Sequence, residues 1–237
     1  TLMWMLVDQG LADLNDPVDK YFPPMREQAV EKPMRLCNLY THTCDLWGHW
    51  GDNFHDFECV VAGVYPCLKI GQDHSYNGAG PAMGSKVAEM ITGEALPQMY
   101  EKHLLGPLGC KNTFAVDSCG GSASTPRDIA TIAQMLLNGG AYGNMRFFSK
   151  ETLEKMQPKD LEYIMGRPGV EWGMAITRFA GDGLGPNTFG HGAASSAILR
   201  IDPDNDLVIV MTRNDAGKNF EKYRPQFMKA IVDGIQK

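Results

Sequence analysis

The sequence lacks both a long apolar run and any concentration of positive charge. No stretch approaches the roughly 18 to 20 apolar residues that a helix needs to span a bilayer. No cluster of Lys or Arg exceeds a dipeptide, and the formal net charge is -6, which argues against a nucleic-acid-binding surface. Internal repeats and low-complexity tracts are also missing. The 237 residues, 43% of them hydrophobic, are enough to bury the core of one large or two small globular domains.

The six cysteines lack the C-x-x-C spacing that marks zinc and redox sites. Two pairs, Cys59/Cys67 and Cys110/Cys119, lie close together along the chain. Disulfides of an exported protein and small buried thiols are both compatible with this distribution, and buried thiols are the interpretation that we favour.

Helical patterns dominate the first two thirds of the chain. The opening stretch is apolar on nearly all sides and ends at Gly10, which indicates a buried helix. Thr125 has the character of a helix N-cap, because Pro126 and the acidic Asp128 follow it. Ser149 begins another helix, which Pro158 ends. Further helices are predicted over residues 34–40, 85–92 and 95–105.

The pattern changes near Glu171 to short β-rich runs separated by Gly-rich or "DPDND" turns. The runs "WGMAITRF", "SSAILRID" and "DLVIVMTRN" predict an antiparallel meander, and residues 220–235 predict a final helix. We therefore expect an α+β fold, with a mostly helical lobe over about residues 20–165 and the sheet with its C-terminal helix over about 171–237.

The stretch "HSYNGAG" is the first candidate for chemistry. Tyr76 and Asn77 stand just before Gly-rich turns that enter a helix, where side chains project into a cleft. A phenol held near a cation can lose its proton and act as a general base. The alternative is a tyrosine that packs on the core with its hydroxyl satisfied.

The stretch "FGHGAASS" is the second candidate. A histidine followed by Gly and small residues on an edge strand leaves backbone N–H groups free to face a ligand. Such a strand could supply half of an oxyanion hole, with His191 pointing into the same cleft. A Gly-rich strand packed closely against a helix is the alternative.

The third stretch is an aromatic, His-rich loop that carries His42, His49, His55 and Cys59. Its spacings do not match a zinc motif, so we predict no metal site. Trp47 and Trp50 lie in the same loop and suggest a hydrophobic wall. A metal-dependent hydrolase that uses these histidines would lose its activity in the presence of chelators.

These stretches, taken together, resemble the serine β-lactamase-like and penicillin-binding-protein-like hydrolases. The resemblance is to the branch of class C β-lactamases, D-Ala-D-Ala carboxypeptidases and esterases. It covers almost the whole chain through five segments in the family's order: "LVDQGLADLNDPVDKYFP", "LYTHTCDL", "YNGAGPAMGSKVAEMITGEAL", "GGSASTPRDIATIAQMLLNGG" and "FGHGAASSAILRIDPDNDLVIVMTRN". Two departures stand in the second segment, where Cys44 and Asp45 replace the usual Ser and Gly.

The resemblance implies a β-lactamase/transpeptidase-like fold and a serine hydrolase that forms an acyl-enzyme on an ester, amide or β-lactam-like carbonyl. Tyr76 matches the tyrosine of the family's Y-x-N motif and would share the nucleophile's proton with a lysine, which would lower the tyrosine's pKa. The Asn of that motif falls on Gly78, which has no side-chain amide. The remaining expectation is that the neighbouring Asn77 contacts the substrate.

The H-G-A sequence of residues 191–193 stands where the family has K-T-G, H-T-G or H-G-G. His191 would then face the leaving group or the substrate carboxylate, and Gly192 and Ala193 would line the site. The backbone N–H of Ala194 would be an oxyanion donor. Because imidazole holds a carboxylate less firmly than an ammonium does, esters and amides are favoured over D-Ala substrates. Trp47, His49 and Trp50 would line the substrate pocket, and no cofactor is needed.

The family's nucleophilic Ser and its Lys lie in an S-x-x-K motif, which occurs nowhere in the 237 residues. By resemblance it would precede Thr1, together with the family's first strands, so we expect this chain to be the C-terminal two thirds of one catalytic domain. Its partners would be a small ester, amide or peptide substrate and the missing N-terminal segment, in the same polypeptide or as a separate chain.

The alternative is a non-catalytic binding or scaffold protein that kept the fold and lost the nucleophile. The departures from the family pattern at Cys44, Asp45 and Gly78 favour this alternative. The family habit implies a periplasmic or secreted protein, with a cytoplasmic location as the other possibility.

Overall fold

A computed structural model describes residues 1–28, 31–46, 68–179 and 183–235 of the chain. The helices in these ranges are α1 Leu2–Asp8, α2 Met25–Gln28, α3 Leu36–Tyr40, α4 Ala79–Thr92, α5 Leu96–Tyr100, α6 Gly106–Leu108, α7 Pro126–Leu137, α8 Lys150–Met156, α9 Glu162–Met165 and α10 Phe220–Ile235. A 3-10 turn spans Val18–Lys20, and a π-helical turn, Glu101–Leu105, joins α5 to α6. The strands are β1 Ala141–Tyr142, β2 Met145–Arg146, β3 Lys159–Asp160, β4 Glu171–Trp172, β5 Thr177–Arg178, β6 Phe189–Gly192, β7 Ile198–Asp202 and β8 Leu207–Met211.

The main sheet is the antiparallel meander that the sequence predicted. Its strand order in the described residues is β5-β6-β7-β8, and α7 packs against β7 and β8. Two short hairpins, β1-β2 and β3-β4, lie outside this sheet. The α+β class is therefore confirmed, whereas the division into a helical lobe and a sheet region stays a prediction.

One predicted strand, "WGMAITRF", is wrong as a continuous element. The structure ends β4 at Trp172 and begins β5 at Thr177, because the chain turns between them. Ala175 takes a positive φ of 60° and its N–H donates to the carbonyl of Tyr40 at 3.0 Å. This tertiary contact interrupts the run that the sequence pattern predicted as one strand.

The opening helix is buried, as its composition predicted. Leu2 to Leu6 are all buried in α1, and the ring of Trp4 meets Phe148 edge to face at 5.7 Å. The helix packs against α4 and α8, and Asp8 at its end accepts hydrogen bonds from Ser149 and Thr152 at the start of α8. The first segment of the chain is thereby fixed to two helices of the core.

Helix α4 begins six residues earlier than the sequence predicted, at Ala79 instead of Ser85. The stretch "AGPAMG" looked like a Gly-rich turn, but its small residues serve packing. A Cβ atom on Gly80 would collide with the carbonyl of Leu39, so only glycine lets α4 approach α3 this closely. This close approach places the start of α4 directly beside the turn that follows α3.

Four cysteines in the described ranges are free thiols, as favoured above. Cys37, Cys44 and Cys110 are buried and Cys119 is half-buried. The pair Cys110/Cys119 is therefore not a disulfide, and Cys59 and Cys67 lie outside the described residues. In the same described ranges, none of the helices combines the length and hydropathy that a bilayer crossing requires.

The predicted cap of α7 is present and gives a stability test. Thr125 Oγ1 accepts a hydrogen bond from the N–H of Asp128 at 3.2 Å. Thr125→Ala is expected to lower the free energy of unfolding by about 1 kcal/mol, because one N–H of the first turn loses its acceptor. Urea unfolding measures this loss. Thr125→Ser is the control that keeps the acceptor, and equal losses in both variants would contradict the assignment.

Candidate active site

Tyr76 lies beside His191 although 115 residues separate them in the sequence. Tyr76 stands three residues before α4, and 54% of its side chain is exposed. Its hydroxyl lies 3.4 Å from Nε2 of His191, which is at the long end of hydrogen-bond distances. The fold therefore brings the first two sequence candidates together.

The surroundings of His191 fix its place on β6 and its tautomer. Its carbonyl accepts a hydrogen bond from Arg200 Nη1 at 3.2 Å, and Nδ1 is in close contact with the carbonyl of Gly192. A carbonyl accepts only, so Nδ1 is the donor in this contact, and Nε2 is the ring atom that faces the Tyr76 hydroxyl across the 3.4 Å gap.

The small residues after His191 form the turn between β6 and β7. Gly192, Ala193 and Ala194 are all exposed, and the N–H of Ser196 donates to the carbonyl of Ala193 at 2.8 Å. Across the described parts of the chain, the N–H of Ala194 meets no hydrogen-bond acceptor. An exposed N–H that is free of such a partner, three residues after His191, has the chemistry of an oxyanion donor.

Asn77 uses its side chain within its own loop. Its Oδ1 accepts from the N–H of Ala79 at 2.9 Å, and its Nδ2 donates to the carbonyl of Ser75 at 2.8 Å. Both ends of the amide are therefore engaged at the start of α4. This arrangement favours a role in shaping the loop over the substrate contact expected from the sequence.

Three rings that the sequence reasoning did not assign to the site surround Tyr76. His42 lies 4.6 Å from Tyr76 between ring centroids, and Trp172 lies 5.7 Å from it. His74 contacts both, at 5.9 Å from His42 and 5.2 Å from Trp172. We call His42, His74, Tyr76, Trp172 and His191 the ring cluster. His42 comes from the stretch "THTC" and Trp172 from "EWG", and neither pattern shows that these rings meet Tyr76.

The ring cluster is electrostatically unfavourable to positive charge. Burial, together with His74 and His191, lowers the pKa of His42 from 6.5 to about 4. Burial also lowers the pKa of His74. Partial burial, with a further contribution from Cys119, raises the pKa of Tyr76 above its usual value. The lowered pKa expected for Tyr76 therefore depends on the lysine of S-x-x-K, which this sequence does not contain.

Two polar atoms of the ring cluster are buried without a hydrogen bond. They are Nε2 of His74 and Nε1 of Trp172, neither of which has a partner in the described residues. A buried unsatisfied donor or acceptor costs roughly 1–3 kcal/mol, and such costs are concentrated at functional sites. Unpaired buried atoms of this kind are more typical of a functional site than of a packed core, which supports the ring cluster as part of the candidate site.

The two departures in "THTCD" have structural explanations. Asp45 has a φ of 55°, a left-handed conformation that glycine adopts readily and aspartate tolerates. Its carboxylate also accepts a hydrogen bond from the N–H of Lys69 at 2.8 Å. Cys44 is fully buried against α4 near Gly80, where a thiol packs well.

The predicted pocket residues Trp47, His49 and Trp50 lie outside the described residues, and so do His55 and Cys59 of the metal alternative. His42 is described and belongs to the ring cluster. Over residues 1–28, 31–46, 68–179 and 183–235, no group of three or more His, Cys, Asp or Glu side chains is arranged to hold a metal ion.

Comparison with known proteins relates the fold to named hydrolases. Relatives named as D-alanyl-D-alanine carboxypeptidases from Salmonella, among them that of Salmonella agona (strain SL483), are 22% to 31% identical over 88% of this chain. The chain spans 65% of the length of these relatives.

Two solved structures share the fold. A family VIII carboxylesterase matches with a TM-score of 0.78 and 17% identity over 98% of this chain and 79% of its own. A penicillin-binding protein homologue from Caulobacter crescentus matches with a TM-score of 0.74 and 15% identity over 90% of this chain and 74% of its own. The beta-lactamase family model matches residues 1–232. The β-lactamase/transpeptidase-like fold and the family resemblance are therefore confirmed, and the chain belongs to the beta-lactamase family.

Proposed function

We propose that this chain carries the proton-transfer and oxyanion-binding side of a serine hydrolase active site, which acts through an acyl-enzyme on an ester, amide or β-lactam-like carbonyl. The observation that carries the proposal is the placement of the Tyr76 hydroxyl 3.4 Å from Nε2 of His191, on the strand that leads to Ala194 three residues later. Membership of the beta-lactamase family supports it.

The chemistry needs a serine and a lysine from an S-x-x-K motif outside residues 1–237. The serine oxygen attacks the carbonyl carbon, and its proton passes to the phenolate of Tyr76. The leaving group takes that proton as its bond to the carbonyl carbon breaks. Water then attacks the acyl-enzyme, which releases the carboxylic acid and restores the serine hydroxyl.

The environment of Tyr76 defines what the lysine must do. The described residues raise the pKa of the phenol, so Tyr76 on its own stays protonated at neutral pH. A lysine ammonium within a few ångströms would favour the phenolate, because an opposite charge stabilises the ionised form. Nε2 of His191 accepts the hydrogen bond of the neutral phenol and keeps it oriented in the meantime.

The substrate class follows from the chemistry of residue 191. The imidazole of His191 holds a substrate carboxylate less firmly than a lysine ammonium would. Uncharged esters and amides are therefore the proposed substrates, in preference to peptides that end in D-Ala. The substrate pocket is proposed to include Trp47, His49 and Trp50, and a periplasmic or secreted location is proposed from the family habit.

Intact-mass spectrometry of the natural, full-length protein after treatment with a fluorophosphonate tests the proposal. One adduct is expected per molecule, on a peptide that carries the S-x-x-K motif, because only an activated serine reacts quickly. Heat-denatured protein is the control and should stay unlabelled. An unlabelled native protein would overturn the proposal and favour the binding-protein alternative.

A further inference from the structure

We propose that His42 is the positioning residue of Tyr76, with its backbone carbonyl and its Nδ1 atom holding the chain on both sides of the phenol. This inference rests on the proposed function, because it takes Tyr76 as the group that handles the proton. It gives His42 a role that concerns neither metal binding nor contact with the substrate.

The first argument is the pair of hydrogen bonds that flank Tyr76. The N–H of Ser75 donates to the carbonyl of His42 at 2.9 Å, and the N–H of Asn77 lies 3.5 Å from His42 Nδ1. The imidazole ring also packs against the phenol, with 4.6 Å between ring centroids. His42 therefore restrains the residue before Tyr76, the residue after it and the Tyr76 ring itself.

The second argument is that His42 is itself fixed in an unusual conformation. Its φ of 54° is left-handed, a conformation that a non-glycine residue adopts only at a cost in free energy. The buried hydroxyls of Thr41 and Thr43 on either side hydrogen-bond to each other, and Asn38 Nδ2 donates to Thr43 Oγ1 at 3.0 Å. A strained residue held by a satisfied polar network gives Tyr76 a rigid support.

The third argument is the protonation state that the contact requires. Nδ1 can accept from Asn77 only while it carries no proton. The ionisable side chains of the described residues that face His42 are His74, Tyr76 and His191, and none of them supplies a negative charge at neutral pH. Burial lowers the pKa of His42 to about 4, so the ring is neutral near pH 7, and its tautomer with the proton on Nε2 leaves Nδ1 free to accept from Asn77.

Two substitutions in the full-length protein separate the side chain from the backbone. His42→Gly keeps the left-handed backbone and the carbonyl that binds Ser75, but removes the ring and Nδ1. His42→Asn tolerates the same φ and places an amide oxygen near the position of Nδ1, where it can accept from Asn77.

We expect His42→Gly to lower kcat for a p-nitrophenyl ester about 100-fold with little change in KM, because misplacement of a reacting group acts on the chemical step. His42→Asn should recover about tenfold of that loss. A glycine variant that unfolds like the wild type and keeps its kcat would overturn the proposal, as would an asparagine variant no better than the glycine one.

Amide hydrogen exchange supplies a measurement that does not depend on activity. In His42→Gly the amide of Asn77 should exchange at least tenfold faster, whereas that of Ser75 should be unchanged because its acceptor remains. Equal protection of Asn77 in variant and wild type would also overturn the proposal. If Tyr76→Phe keeps full activity in the same assay, the proposed function fails at Tyr76, whereas the exchange result still decides whether His42 holds the loop.

Discussion

Tyr76→Phe is expected to lower kcat/KM of the full-length protein for an ester substrate by roughly 10² to 10⁴, the range that a positioned proton-transfer group contributes. The hydroxyl is the only atom removed, and its hydrogen-bond partner in the described residues is Nε2 of His191 at 3.4 Å. Because more than half of the side chain is exposed, the free energy of unfolding should change by less than about 0.5 kcal/mol. Steady-state kinetics and urea unfolding on the same preparation measure both quantities.

The matched control is Tyr223→Phe, a tyrosine of similar exposure on α10. It loses the same atom away from the ring cluster, so kcat/KM should stay within twofold of the wild-type value. Tyr76→Phe with wild-type kcat/KM would exclude the phenol from proton transfer. A loss shared by both variants would point to a general effect of removing a surface hydroxyl.

Gly190→Ala is expected to destabilise the folded protein by about 3 kcal/mol or more. Gly190 pairs with Arg200 across β6 and β7, and a Cβ atom there would collide with the backbone carbonyl of Leu199. Backbone cannot move aside as a flexible side chain does, so the strands must separate. The residue that follows is His191, and the same change should therefore also disturb the site.

Gly192→Ala is the matched control on the same strand. A Cβ atom on Gly192 would lie 3.9 Å from the nearest atom, the carbonyl oxygen of Ala197, which is an ordinary contact. Urea unfolding should place Gly192→Ala within about 1 kcal/mol of the wild type. Similar stabilities for the two variants would show that the hairpin relaxes at little cost and that Gly190 is not required by packing.

Local signals in the sequence were sufficient for most of the fold. The cap at Thr125, the breaker at Gly10 and the meander after Glu171 depend on neighbours within a few residues, and the structure has all three. The sequence predicted too short a helix α4, because glycine and proline suggest a turn when only neighbouring residues are considered. In the structure, the close packing of Gly80 on α3 explains why small residues stand at the start of this helix. The strand predicted over "WGMAITRF" failed for the same reason, since the turn at Ala175 depends on Tyr40.

The candidate site likewise contains residues that local sequence signals identify and residues that depend on tertiary contacts. Tyr76 and His191 were found because each stands beside glycines in a stretch that resembles a known motif. His42 and Trp172 belong equally to the ring cluster, but their roles depend on contacts between segments more than 100 residues apart, on which periodicity carries no information. A contact from Asn77 to a ligand stays a prediction, and in the structure its amide hydrogen-bonds within its own loop.

The carboxylate of Asp45 joins the two described segments that stand before and after residues 47–67 in the sequence. It accepts from the N–H of Lys69, and two residues on, the N–H of Gly71 donates to the carbonyl of Thr43 at 2.8 Å. The positions that precede and follow residues 47–67 are thus fastened to each other independently of what lies between them. The segments that carry His42 and His74 are therefore tied together at a second place, outside the ring cluster. A substitution at Asp45 removes one of these two ties and leaves the hydrogen bond between Gly71 and Thr43 in place.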